Sequence, residues 1–342
     1  MSLEFPPAAV LPHPLERLAA DRPSALDRAL VKRSSLMGIA TAVALACAFA
    51  GLPGDAAGLI GCLTGYAGFV WGMLLPRRYA SAGLYRRTLF LAEELERRSW
   101  FTASIASWRL LRGACHMLLG DVDSARDVME SIPRSRLGWR TRTGVDLNLA
   151  ILHCQMVEPE RALEVLARID AAPPYPAMQP CLHLVRASAL ALQEKWAEAR
   201  AEVGRVEAAG PPPLFEASCL SLRAFLKLEE EGDATAALEL STRALERLGR
   251  WYPGRPGLLL NHARIVLDAI GDEQACLDLL GRVIGHEAEL GLGGQAELHY
   301  LLGRCYLSSG LAADARAHAE RAAQLPATPR LRGRIAALMA EL

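Results

Sequence analysis

What this sequence lacks narrows its class before any motif is sought. It has no surplus of either charge, since Lys plus Arg and Asp plus Glu both number 38. A protein that grips nucleic acid by its phosphates needs a basic excess, so general polyanion binding is excluded and no nucleic-acid partner is expected. Aromatic residues are only 6% of the chain, and the residues that dominate its later three quarters are Ala, Leu, Arg and Glu. That balance favours helices over strands, and an all-α fold is expected. No two of the eight cysteines stand in a CxxC spacing. Spread singly along helical segments, they read as buried small apolar residues in a reducing compartment and not as a secreted disulfide framework.

Catalytic signatures are missing too. There is no phosphate-cradling P-loop, no GxSxG nucleophile elbow and no metalloprotease histidine spacing. The most suggestive pairing is Cys115-His116 with His153-Cys154. A zinc site there would need four converging ligands, and similar residues at equivalent repeat positions explain the match by packing alone. Neither enzyme activity, nor a cofactor, nor a bound metal is expected.

Charge is also missing from one long stretch. Between Arg33 and Arg77 the only charged residue is Asp55. As helices at ~1.5 Å per residue, Leu36–Leu52 would span about 25 Å and Ala56–Leu75 about 30 Å, against a hydrocarbon core of ~30 Å. Pro53, Gly54 and Asp55 supply the turn between them. Residues 34–76 therefore predict a transmembrane helical hairpin. Arginines and a lysine flank it on both sides and are missing from its tip, which puts both termini in the cytoplasm. Gly61, Gly65, Gly68 and Gly72 allow close helix packing, within the hairpin or between copies of the chain as a homo-oligomer. A small-residue run at Ala48-Phe49-Ala50 fits a signal peptide poorly behind so long a leader, and a hairpin buried in a soluble domain is the remaining alternative. Residues 1–33, rich in proline, read as a cytoplasmic tail with a short helix, and residues 77–100 as a linker and capping helix.

After residue 100 the chain repeats itself. The clearest unit is Ala296–Pro326, where Leu302-Gly303, Tyr306, Gly310, Ala315, Ala319 and Ala322 fall where one helix must touch the next. This pattern resembles the tetratricopeptide repeat (TPR) family, whose units are helix pairs. Taking Ala315 as the anchor of the second helix, equivalents occur at Ala125, Ala162, Ala199, Ala237 and Cys276, spaced 37, 37, 38, 39 and 39 residues apart. A small anchor is needed because paired helices cross closely there. Each anchor follows a turn: Gly120-Asp121, Val157-Glu158, Glu194-Lys195, Gly232-Asp233, Gly271-Asp272 and Gly310-Leu311. In the Gly-Asp turns glycine ends the first helix and aspartate begins the second. Residues 101–342 are thus expected to form a TPR-like α-solenoid of about six helix pairs, a curved rod with an inner groove. The Gly291-Leu292-Gly293-Gly294 run reads as an inter-helix loop.

The resemblance also implies which residues line the groove. At the fifth place of each repeat stand Leu110, Leu147, Leu184, Leu222, Asn261 and Tyr300, and at the ninth Ala114, Ile151, Ser188, Leu226, Ile265 and Arg304. This mostly apolar wall lacks the combined set of lysine, asparagine and arginine with which some family members clamp a carboxylate. It suits an amphipathic helix of a partner protein or a helix of the same chain. Asn261, Asp268, Tyr300 and Arg304 make the C-terminal end polar and are candidate partner contacts. Arg134, Arg136, Trp139, Arg140 and Arg142 form a basic loop suited to anionic lipid or an acidic partner, though a solvated loop with Trp139 tucked inward fits the same residues. The expected function is a non-enzymatic scaffold tethered to a membrane, by composition a bacterial inner membrane. The alternative is a hairpin-driven ring or pore with the repeats as its collar.

Overall fold

The computed structural model of the chain describes residue 23 and residues 84–99, 102–170, 178–211, 213–247 and 254–342. The hairpin at 34–76, with Gly61, Gly65, Gly68 and Gly72, lies outside the described residues, as does the tail before it apart from Pro23. Among the described residues no helix is long and apolar enough to cross a membrane.

The described residues are all-α. A leading helix α1 (Tyr85–Arg98) precedes six helix pairs: α2 (Thr102–Leu118) with α3 (Val122–Glu130), α4 (Trp139–Gln155) with α5 (Pro159–Asp170), α6 (Gln179–Leu192) with α7 (Trp196–Ala208), α8 (Pro213–Leu226) with α9 (Ala234–Glu246), α10 (Arg255–Ile270) with α11 (Glu273–Gly281), and α12 (Gly291–Ser308) with α13 (Ala312–Ala323). A last helix α14 (Pro329–Glu341) covers the end of the array. The leading helix buries Leu91 and Ala92 against α2 and is tied to it where Arg109 donates to Glu96 at 2.7 Å.

All six expected turns reverse the chain through one left-handed residue: Gly120, Val157, Glu194, Gly232, Gly271 and Gly310 have φ between 59° and 80°. At several of them the N–H one residue beyond closes a wide loop back onto the helix, as Asp121 does to His116 and Leu311 to Tyr306, both at 2.9 Å. The aspartates start the second helices as the sequence requires. Asp121 accepts from the Ser124 N–H, Asp233 from Ala236 and Asp272 from Ala275. The six small anchors, Ala125, Ala162, Ala199, Ala237, Cys276 and Ala315, are each fully buried at 0% exposure. Gly303 shows why the crossing must be tight, since a Cβ there would stand 3.2 Å from the Ala315 carbonyl and 3.0 Å from Leu338. The core runs as four successive apolar clusters, each shared by neighbouring pairs, as a stacked array demands.

Three expectations need correction. The Gly291–Gly294 run is not a loop; it is the first turn of α12, entered from a short 3-10 turn at Glu287–Leu290. The first helix of the fourth pair ends in a π turn, Lys227–Glu231, which inserts a residue. Leu226, expected on the inner wall, is buried in the core and Phe225 faces inward; in the next pair, which has no such turn, Ile265 is likewise core and Arg264 faces inward. Finally, the array is not an open rod. It winds until its C-terminal end touches its beginning: α12 packs on α4, and the 3-10 turn before it packs on α2.

Candidate functional site

The winding shapes a chamber of ≈ 640 Å³, partly open to solvent, lined by the first helices of the pairs and by α14. Its wall is mainly apolar, with Leu184, Leu222, Phe225 and Leu258 on successive first helices, and Phe215 and Trp196 closing one side. Of the residues expected on the groove, Ile151, Leu184, Ser188, Leu222 and Asn261 do line it. The apolar stripe arises because each first helix must bury one face on its own partner and another on its neighbour, which leaves a third face to the interior.

One end of the chamber is ionic. Glu229, carried inward by the π turn, has a side chain only 1% exposed and is met by three arginines. Arg264 pairs with it directly, Arg330 Nε lies 2.7 Å from its Oε2, and Arg334 donates at 3.2 Å. Arg264 also donates to Glu297 at 2.8 Å and lies over the Phe225 ring at 5.3 Å. Burial pulls the Arg264 guanidinium below its ordinary range, and the neighbouring carboxylates, Glu297 first, oppose that. A carboxylate so deeply placed is held only because its partners are in place; removing one partner of such a buried group typically costs ~3–5 kcal/mol. The charged side chains on the chamber wall are Glu194, Glu229, Glu297, Arg264, Arg330 and Arg334, and each already has a partner within the chain.

The other sequence candidates fall in different places. Asn261 stands in the chamber wall, its amide donating to the Ser221 carbonyl at 3.0 Å and hydroxyl at 2.9 Å. Asp268, Tyr300 and Arg304 come together outside it: Arg304 donates to Asp268 at 3.0 Å and lies over the Tyr300 ring at 5.9 Å, which ties α10 to α12. In the basic loop Arg134 pairs with Asp146 at 2.9 Å, and Arg142 caps the Leu137 carbonyl at 3.3 Å. Trp139 is 44% exposed with the Arg140 guanidinium 5.3 Å from its ring, and Arg136 and Arg142 are exposed as well. The tryptophan is thus not tucked into the solenoid. His116 and His153 each reach the acidic residue of the following turn, Asp121 at 3.2 Å and Glu158 at 2.8 Å. The sequence reading missed Glu229, Arg330 and Arg334, because their meeting depends on how far the array winds.

This arrangement of turns, anchors and stacked pairs settles the fold. It is a TPR-like α-solenoid. Among solved structures the chain is similar to a Rap protein complexed with competence and sporulation factor, at 12% identity and a TM-score of 0.52, over 94% of this chain and 97% of that one. It is also similar to a tetratricopeptide repeat protein from Parabacteroides merdae, at 12% identity and a TM-score of 0.45, over 79% of this chain and 97% of that one. No protein-family model matches the chain, and no curated protein does.

Proposed function

We propose that this chain is a non-enzymatic, membrane-tethered scaffold whose chamber binds a short, uncharged, apolar peptide segment of a partner protein. The observation that carries this is the chamber itself: a mainly apolar cavity of ≈ 640 Å³ whose charged wall residues, three glutamates and three arginines, balance in sign. A ligand bearing net charge would gain little net attraction from so balanced a wall, whereas apolar side chains would gain ~25 cal/mol per Å² buried. Size points the same way. A chamber of this size takes a short segment of a partner, with the rest of that partner outside it. The solved Rap protein was crystallised with competence and sporulation factor, which agrees with a solenoid of this kind holding a factor.

The tether rests on residues 34–76, and the exposed Arg136, Trp139, Arg140 and Arg142 would face anionic headgroups on the cytoplasmic side. Two experiments test the two halves of the reading. Pentapeptides selected from a random library on the full chain should bind one to one by calorimetry. Binding should weaken at least tenfold in Ser188→Trp, which fills the chamber, with the melting temperature held; equal affinity would refute the site. For the tether, full-length protein should pellet with membranes without detergent and the 34–76 deletion should not.

A further inference from the structure

We infer that the seam where the solenoid closes on itself is a clasp that opens to widen access to the chamber; this rests on the reading of the chamber as a binding site. The seam is built differently from the joints between neighbouring helix pairs. Between neighbouring pairs the joints are apolar clusters, but among the described residues none of the four clusters includes residues from both sides of the seam. What meets there is glycine backbone against a few uncharged side chains. A Cβ on Gly120 would stand 2.8 Å from the Ala288 Cβ, one on Gly291 2.7 Å from the Gln155 Cβ, and one on Gly293 2.8 Å from Val157 Cγ2. At the next turn the Glu194 carboxylate accepts the N–H of Arg330 at 3.1 Å, and Arg330 goes on to Glu229. Joints made of small-residue contacts and a side-chain-to-backbone hydrogen bond open more readily than apolar cores, so this is the ring's low-stability edge.

A second observation singles out the same edge. Four of the six helix-pair turns put glycine at the left-handed residue, and the two that do not are Val157 (φ 59°) and Glu194 (φ 61°). Left-handed backbone is strained for a side chain, most of all a β-branched one. These two side chains are the ones the seam uses: Val157 packs on Gly293, and Glu194 holds the start of α14. Strain is therefore placed where closure alone offsets it. Gln155, Val157, Glu194, Leu290, Gly293 and Arg330 also line the chamber, so parting the seam opens the chamber wall.

The test needs no ligand, because Cys154 and Cys181 line the chamber and burial pushes their thiols up to about 12 and about 11. Their rate of reaction with N-ethylmaleimide, read by mass spectrometry of the digested protein, reports access. The Val157 and Gly293 Cβ positions lie within about 4.3 Å, one carbon–carbon bond beyond the measured contact, which suits a disulfide. In Val157→Cys/Gly293→Cys, the oxidised protein should label at both thiols at least tenfold more slowly than the same protein after reduction and desalting. Equal rates overturn the clasp. A variant without an engineered bond, Glu194→Gly, relieves the turn but frees α14, and should label severalfold faster than the unaltered chain at an unchanged melting temperature; an unchanged rate there also overturns it. A chamber that binds no peptide would leave these rates as they are, and a rigid ring would leave peptide binding as it is, so the two readings fail separately.

Discussion

At the scale of single residues, the anchors set the spacing of the array. Ala199 is fully buried where α6 and α7 pack. Ala199→Leu should lower unfolding free energy by about 1–3 kcal/mol in urea titrations, the usual effect of forcing extra methylenes into a packed contact. Buried histidines add a dependence on pH. Burial between α9 and α10 pulls the His262 imidazole down to about 4, where it sits 2.8 Å from the Ser241 hydroxyl. The unfolded chain takes up this proton near the ordinary pKa of ~6.5 and the folded chain only near 4, so stability is full above that window and falls as pH drops through it, by up to about 3 kcal/mol. His299 and His318, stacked with ring nitrogens 3.0 Å apart, are both held below their ordinary value, burial being the main cause, and act in the same direction. Unfolding free energies measured from pH 7 to pH 4.5 should fall less steeply in His262→Gln than in the unaltered chain.

At the scale of elements, the turns explain what could be read from sequence and what could not. Each depends on a few adjacent residues, so all six turn positions, the anchors and the Gly-Asp caps are visible as local pattern. Asp121→Ala, Asp233→Ala and Asp272→Ala should each cost about 1 kcal/mol, the usual worth of an N-cap, measurable as a shift in urea midpoint. The π turn at Lys227–Glu231 was not legible, since its unit is 38 residues long while later units without one are 39, and the offset that puts Phe225 rather than Leu226, and Arg264 rather than Ile265, on the inner wall left no local mark either. The glycines of α12 looked like a loop because glycine usually breaks a helix; here they begin one, so that its backbone can lie against Gln155 and Val157. That reason lies more than a hundred residues away in the chain and leaves no local mark.

At the scale of the whole molecule, the decisive property is the sum of small rotations between successive pairs. Enough of them bring α14 to the α6–α7 turn and convert a groove into a chamber, with Glu229 and its arginines at one end and apolar first-helix faces around the rest. The Asn261 wall position was legible from its place in the repeat; the ionic end was not, since Glu229, Arg264 and Arg334 belong to different elements with no shared motif. The account stands or falls on where a ligand sits. A selected pentapeptide carrying a benzophenone side chain, photolysed on the full chain and mapped by mass spectrometry, should attach to Leu184, Leu222, Phe225 or Leu258 on the inner wall. Attachment confined to the outward faces of the second helices would contradict it.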